Sequence, residues 1–314
     1  MRILIAPLNW GLGHATRCIP LIEKHLRAGD EVVLGGDGSS LALLKKRFPT
    51  LQVLAFAPLE LCYSKGKSQV GAMLRALPQL LRSAIEDHQL LAECLRYEAF
   101  DLIISDNRFG LYTKKVRCTY MTHQLTIPLP HTWRCLEPLT ARIHRKIIER
   151  YDECLVPDYE TAPGLAGRLS HPAVLPRNVR YIGSLSRFAG TETEKDESYE
   201  IVAVLSGLEP QRTLFEEEVC EKYKDKKLLV VRGKPGLPPT VSKHGNITFV
   251  PWLDDKTLVA YMRGAAKLVM RSGYTSVMDM EALGLTDKTE WYPTPGQPEQ
   301  EYLATLLATK RIKN

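Results

Sequence analysis

The segment Asn9-Trp10-Gly11-Leu12-Gly13-His14-Ala15-Thr16-Arg17-Cys18 places two glycines, an imidazole and a guanidinium within one short stretch. Glycine lets the backbone approach a ligand closely, and free N–H groups at a helix start favour anions. A histidine titrates near neutral pH and can take a proton from a hydroxyl, so His14 is the first candidate general base. Asp106, which closes the apolar run DLIIS, is the second, or else a loop cap. His123 and Gln124 follow another apolar run, where His123 either lines the same site or is a structural core histidine. The Gly11-x-Gly13 spacing opens a dinucleotide fingerprint, but Arg17 and its neighbours stand where the third glycine belongs. Asp37 sits in a glycine-rich turn (GGDGSS), so nicotinamide binding is not expected.

A second constellation lies near the C-terminus. Arg271-Ser272-Gly273-Tyr274-Thr275-Ser276 follows the strand-like Lys267–Met270 and leads into a helical stretch, Val277–Leu283. Small hydroxyl residues at a helix start either cap it or leave its N–H groups to a diphosphate. Asp279 suits the helix dipole and has the chemistry to accept two vicinal ribose hydroxyls. One strand later, Gln297, Gln300 and Glu301 follow a Pro-Gly turn and open a helix. Amides and carboxylates read sugar hydroxyls by directional hydrogen bonds.

These residues need strand ends to hold them, and the patterning supplies them. Apolar runs at Arg2–Pro7, Glu31–Leu34, Leu51–Ala55, Asp101–Ser105, Arg117–Met121 and Cys154–Val156 alternate with helical spacing at Ile19–Ala28, Leu41–Arg47 and roughly 69–97. Continuous apolar strands between helices indicate a parallel sheet covered on both faces. Residues 183–199 carry no apolar period. The alternation then restarts with strands at Ile201–Leu205, Leu228–Val231, Ile247–Val250, Lys267–Met270 and Thr289–Tyr292. The expected organisation is an α/β chain of two Rossmann-like domains, 1–185 and 200–314, joined by a linker at 186–199. Ligands of such sheets bind at the carboxyl ends of strands, where both constellations fall.

The bulk properties narrow the class. A chain of 314 residues is long enough for two domains, and 44% hydrophobic content suffices for packed cores. No apolar run reaches the roughly 20 residues of a membrane span, and the N-terminus lacks the pattern of a secretory signal, so a cytoplasmic protein is expected. The seven cysteines are scattered without a CxxC pair and read as reduced thiols. Histidines are dispersed and no Asp-x-Asp pair is present, so neither a metal nor another cofactor is expected. The net charge of +6 is unevenly placed. Lys65, Lys67, Arg75 and Arg82 interleave with Met73, Leu74, Leu77, Leu80 and Leu81, and a second basic stretch runs from Arg134 to Arg150. Both are either solvated helix faces or an attraction to an anionic membrane surface. Aromatic residues are sparse there, which argues against nucleic acid.

The two constellations together resemble glycosyltransferases of the GT-B type, whose two Rossmann-like domains face each other across a cleft. The resemblance extends to the lipid-intermediate N-acetylglucosaminyltransferase of peptidoglycan synthesis and to a related group of bacterial and archaeal glycosyltransferases. It is carried by Gly13-His14, by Arg271-Ser272-Gly273, and by the segments Val156–Tyr159 and Tyr181–Phe188. It implies that Ser206, Gly207, Arg271, Ser272, Gly273, Thr275 and Ser276 surround a donor diphosphate, that Asp279 reads the ribose, and that Gln300 and Glu301 read the sugar, while Gln297 has no counterpart in the resemblance. Glu301 stands where that enzyme has a second glutamine. Gly11, Gly13, Arg17 and His123 would then line the acceptor side. Gly13-His14-Ala15-Thr16-Arg17-Cys18 is also similar to the Gly-His-x-x-Arg-Cys motif of the UDP-sugar hydrolase of pseudaminic acid synthesis. The implied activity is transfer from a nucleotide-diphosphate sugar to a sugar- or lipid-linked acceptor, with inversion and without a metal. Hydrolysis of the same donor, or donor binding without catalysis, are the alternatives.

Overall fold

A computed structural model of the chain describes residues 1–56, 58 and 70–313, with side chains left undescribed at 70–76 and 311–313. Lys65, Lys67 and the side chains of Met73, Leu74 and Arg75 therefore lie outside the described residues. The rest divides into two compact units, one ending at Leu185 and one starting at Ser186.

In the first unit, strands β1 (Arg2–Pro7), β2 (Glu31–Gly36), β3 (Gln52–Ala55), β4 (Leu102–Asp106), β5 (Arg117–Met121), β6 (Glu153–Val156) and β7 (Val179–Tyr181) form one sheet. Its order is β3-β2-β1-β4-β5-β6-β7, and every pairing is parallel. Helices α1 (Leu12–Arg27), α2 (Gly38–Arg47), α3 (Val70–Cys94) and α4 (Glu137–Ile148) connect the strands. Alternate side chains of one strand enter opposite faces, as the pleat requires. Leu4 and Ala6 join the core that contains Ile103, Tyr120 and Leu91, while Ile3 and Ile5 join Ile22, Leu34 and Ile104. That two-sided burial explains the uninterrupted apolar runs.

The second unit repeats the plan. Strands β8 (Ile201–Val204), β9 (Leu228–Val231), β10 (Ser242–His244), β11 (Ile247–Val250), β12 (Lys267–Arg271) and β13 (Thr289–Tyr292) lie in the order β10-β11-β9-β8-β12-β13. Only the short β10 runs antiparallel. The unit's helices are α5 (Gln211–Lys222), α6 (Asp255–Gly264), α7 (Tyr274–Leu283) and α8 (Pro298–Lys313). Val202 and Leu229 face one core and Ala203 and Val230 the other.

Two strands escape the apolar pattern because they bury so little. β10 is exposed throughout, and β7 alternates around an exposed Arg180. Two helices also start earlier than their apolar spacing suggests. α1 begins at Leu12, so His14 and Arg17 stand on its first turns and not in a loop before it. α7 begins at Tyr274, which places Thr275 and Ser276 inside the helix. In both cases the start is a glycine without a side-chain cap, Gly11 and Gly273.

Helix α3 comes very close to the loop after β4. A Cβ added to Gly110 would stand 2.0 Å from the Ala84 carbonyl oxygen. Gly110→Ala is expected to cost about 1–3 kcal/mol by forcing backbone apart, read as a lower denaturant midpoint.

Candidate functional site

The order β2-β1-β4 brings the loop after β1 beside the end of β4. Pro7 pairs with Asp106, and the Leu8 N–H donates to the Asp106 carbonyl at 2.9 Å. One turn into α1, His14 and Arg17 fall on the same helix face at i and i+3. Both reach the Asp106 carboxylate, 92 and 89 positions away in sequence. His14 Nδ1 lies 3.0 Å from Asp106 Oδ1 and 2.9 Å from Arg17 Nη2. The two contacts call for opposite states of Nδ1: a proton donates to Asp106, whereas a lone pair accepts from Arg17. Arg17 donates from Nε to Asp106 Oδ2 at 2.7 Å, from Nη2 to Oδ1, and Nη1 lies 3.0 Å from His123 Nδ1. Cys18 Sγ is 3.7 Å from Asp106 Oδ2.

Asp106 is fully buried and Arg17 only 1% exposed, so this is an ion pair in a dry interior. Burial alone would push the Asp106 carboxyl up. The Arg17 guanidinium and the His14 imidazole outweigh it and hold the group well below the usual carboxylate range. Burial also pushes the Cys18 thiol well up. The His14 side chain keeps 16% of its surface open, and no described residue bonds its Nε2. His123 is buried at 4%.

A second ionic knot, which no motif signals, braces the same loop. Arg108, fully buried, donates to Asp37 at 2.6 Å and to both Asp87 oxygens at 2.7 and 2.9 Å. Asp37 accepts from Asn9 Nδ2 at 3.1 Å, and Asn9 Oδ1 accepts from Ser39 Oγ at 3.1 Å. Burial pushes the Asp87 carboxyl up, with Arg108 pulling against it. The turn residue Asn107 sits at φ 58 between Asp106 and Arg108, so consecutive residues anchor two separate charged networks. The Asp37 carboxylate, in the glycine-rich turn after β2, is bound to Arg108 and Asn9.

In the second unit the corresponding strand ends are those of β8, β12 and β13, which lie side by side. Ser206 and Gly207 follow β8, with Gly207 at φ 98. Arg271 is 3% exposed. It donates to the Pro293 carbonyl at 2.7 Å and the Gln211 carbonyl at 3.1 Å, with its guanidinium 4.1 Å from the Phe215 ring centroid. Burial lowers it to about 10. It braces the ends of three elements. Ser272 Oγ donates to the Gln300 carbonyl at 2.8 Å, and the Thr294 N–H donates to Gln300 Oε1 at 2.8 Å. The Gly296 N–H donates to Glu301 Oε1 at 2.7 Å, and Gln297 Oε1 is buried without a partner among the described residues. Ser272, Gln300 and Glu301 thus shape the turn after β13 around the N-terminus of α7.

Asp279 does not pair with Ser276. It accepts a 2.6 Å bond from Ser186 Oγ, and the same Ser186 oxygen accepts from the Phe188 N–H at 3.1 Å. Burial raises the carboxyl to about 6, against the pull of Arg187 and Ser186. A group with a raised folded value stabilises most below its unfolded value of roughly 3.9, and loses that contribution as pH rises through about 6. Asp279→Asn is therefore expected to be more stable than the native chain at pH 7–8, by on the order of 3 kcal/mol at most. The gap should close toward pH 4, as thermal melts across that range would show.

No family model matches this chain. It is similar to an uncharacterised glycosyltransferase of Methanosarcina acetivorans, 24% identical over 332 aligned positions that cover 98% of this chain and 81% of that protein. Among solved structures it is similar to the calicheamicin glycosyltransferase, with TM-score 0.59 and 13% identity over 98% of this chain and 83% of that one. It also matches the spinosyn rhamnosyltransferase solved with thymidine diphosphate, with TM-score 0.51 and 12% identity over 100% of this chain and 92% of that one. The two units described above are the Rossmann-like halves of the GT-B fold.

Proposed function

We propose that this chain is a glycosyltransferase that moves a sugar from a nucleotide-diphosphate sugar, a UDP-sugar by the resemblance of its donor motifs, to a sugar- or lipid-linked acceptor. The observation that carries the reading is the pairing of His14, partly open on the surface, with the buried Asp106. A proton on Nδ1, directed at Asp106 Oδ1, leaves the Nε2 lone pair to take the acceptor's proton. The acceptor oxygen then attacks the anomeric carbon as the bond to the diphosphate oxygen breaks, and configuration inverts. Asp106 stabilises the imidazolium that forms, so its role is to position and polarise His14 and not to act as the base. Arg17 fixes the carboxylate, and His123 is held through Arg17.

The second unit supplies the donor site in this reading. The N–H groups of Thr275 and Ser276 at the start of α7, together with Gly273 and the Ser206-Gly207 loop, face the charge that develops on the leaving diphosphate. Arg271 and Ser272 hold those elements in place. Gln297, Gln300 and Glu301 form the sugar-reading turn, and Asp279 meets the ribose. A helix N-terminus in this role needs no metal ion.

Two exposed apolar stripes support peripheral attachment to an anionic membrane. Leu77, Leu81 and Ile85 recur on α3 at 53%, 61% and 59% exposure. Leu139 and Ile143 on α4 lie beside exposed Arg142 and Lys146. No described helix is long and apolar enough to cross a membrane.

Hydrolysis is the second reading, because the histidine, arginine and cysteine of the Gly-His-x-x-Arg-Cys motif all converge on Asp106. A panel of UDP-, GDP-, ADP- and dTDP-sugars, assayed for binding and for nucleotide release with and without a membrane extract, separates the readings. Release only with the extract supports transfer, and release of free sugar without it supports hydrolysis. Absence of binding at millimolar donor overturns the donor reading.

A further inference from the structure

The loop that follows β8 already holds an anion of its own. Glu209 stands two residues after Gly207 and immediately before Pro210, the N-cap of α5, which offers no side-chain acceptor. The Thr213 N–H and Oγ1 donate to Glu209 Oε2 at 3.2 and 2.8 Å. Arg212 donates to Oε1 from Nε at 3.1 Å and from Nη2 at 2.7 Å. Lys234, three residues past the end of the neighbouring β9, brings its Nζ within 3.7 Å of the same oxygen. A helix-start amide, a hydroxyl, a forked guanidinium and an ammonium are the groups that hold phosphate oxygens. Here a carboxylate 44% exposed engages all of them. Burial would raise its pKa, but Arg212 and Thr213 outweigh this and keep it ionised. Arg232, just past the end of β9, is taken up by Glu216 at 2.7 Å.

We propose that Glu209 is a built-in competitor of the donor's diphosphate: its carboxylate occupies the anion position of the Ser206–Pro210 loop and must be displaced before phosphate oxygens reach Arg212, Thr213 and Lys234. This rests on the reading of that loop as the donor site. A pyrophosphoryl group offers oxygens on two phosphorus atoms to two cations and a helix start at once, whereas a single phosphate offers them on one. Glu209 therefore sets both the affinity for the donor and its preference for a diphosphate over a monophosphate.

Calorimetric titration of the full chain with inorganic pyrophosphate, UDP and UMP tests this. Glu209→Gln keeps the size and the acceptor oxygen that cap α5 but removes the charge. It is expected to bind pyrophosphate and UDP about tenfold more tightly, to lose most of its discrimination against UMP, and to show a steeper loss of affinity with salt. Glu209→Ser, which retains a capping hydroxyl, should give the same gain if the glutamine variant folds poorly. Adding Arg212→Ala should cancel it. Unchanged or weaker binding by folded Glu209 variants, with native UDP binding intact, overturns the competitor and leaves the donor reading standing. A gain for pyrophosphate with no nucleotide bound by any variant does the reverse. No response to any of the three ligands overturns both.

Discussion

His14→Ala is expected to lower turnover of the sugar nucleotide about a thousandfold, within the range for loss of a positioned general base, while nucleotide affinity stays within about a factor of two. The split follows from where the residue sits. His14 belongs to the first unit, one turn into α1, and its bonded neighbours are Asp106 and Arg17 of that same unit. The proposed donor site is built from strand ends of the second unit. Truncation also leaves the fold intact, since the imidazole is not what holds Asp106 in place. Among the described residues, Arg17 alone contacts both carboxylate oxygens. Parallel measurement of donor binding by calorimetry and of nucleotide release by a coupled assay checks this. Loss of binding equal to the loss of turnover would place His14 in the donor site instead and sink its assignment as the base.

Asp106→Asn is expected to damage both the fold and the chemistry, and to do so by separable mechanisms. The amide keeps the shape of the carboxylate but strands the Arg17 guanidinium, 1% exposed, without a counter-charge. Breaking a buried pair by removing one partner costs about 3–5 kcal/mol. The sign with pH follows from the depressed carboxyl. Its stabilisation is present above the unfolded carboxylate value near 4 and is lost only as pH falls through the much lower folded one. The stability gap between native and variant chains should therefore hold from about pH 5 to 8 and shrink in acid. Turnover should fall on the order of a hundredfold to ten-thousandfold in the fraction that remains folded, because an amide neither selects the Nδ1–H form of His14 nor stabilises its cation. A variant that loses stability but keeps full turnover would make Asp106 a structural anchor for Arg17 alone. Denaturant unfolding at several pH values and specific activity per folded molecule separate the two effects.

Periodicity located almost every buried strand, because a strand covered on both faces must be apolar along its whole length. It passed over β7 and β10, whose exposed side chains carry no such constraint. It also started α1 and α7 too late. Leu12 and Gly13 show no amphipathic spacing, yet the backbone turns helical from Leu12, and this places His14 and Arg17 one above the other. The site residues in local motifs were legible for the same reason that motifs exist: a glycine before a helix, or a Pro-Gly turn before amides, has chemistry that depends on neighbours in sequence. Arg108, Asp37, Asp87 and Asn9 were not legible. Their ion pairs span up to 71 positions, and nothing at any one of them marks a buried charge.

The sequence by itself determined that this protein has two α/β sheets and that each carries a polar, glycine-containing turn at a strand end. It also makes His14 the first candidate base among those residues. Only the tertiary structure decided what each charged group is for. Because β1 and β4 are neighbours, Asp106 meets His14 and Arg17 in a dry interior and becomes their counter-ion. Because β8, β12 and β13 are neighbours, Arg271 spends its donors on backbone carbonyls. Because Ser186 reaches Asp279, that carboxyl is held buried with a raised pKa and does not cap its own helix. A charge in a sequence has only a sign; its partner, its solvent and hence its protonation state come from residues that the fold alone brings within hydrogen-bond reach.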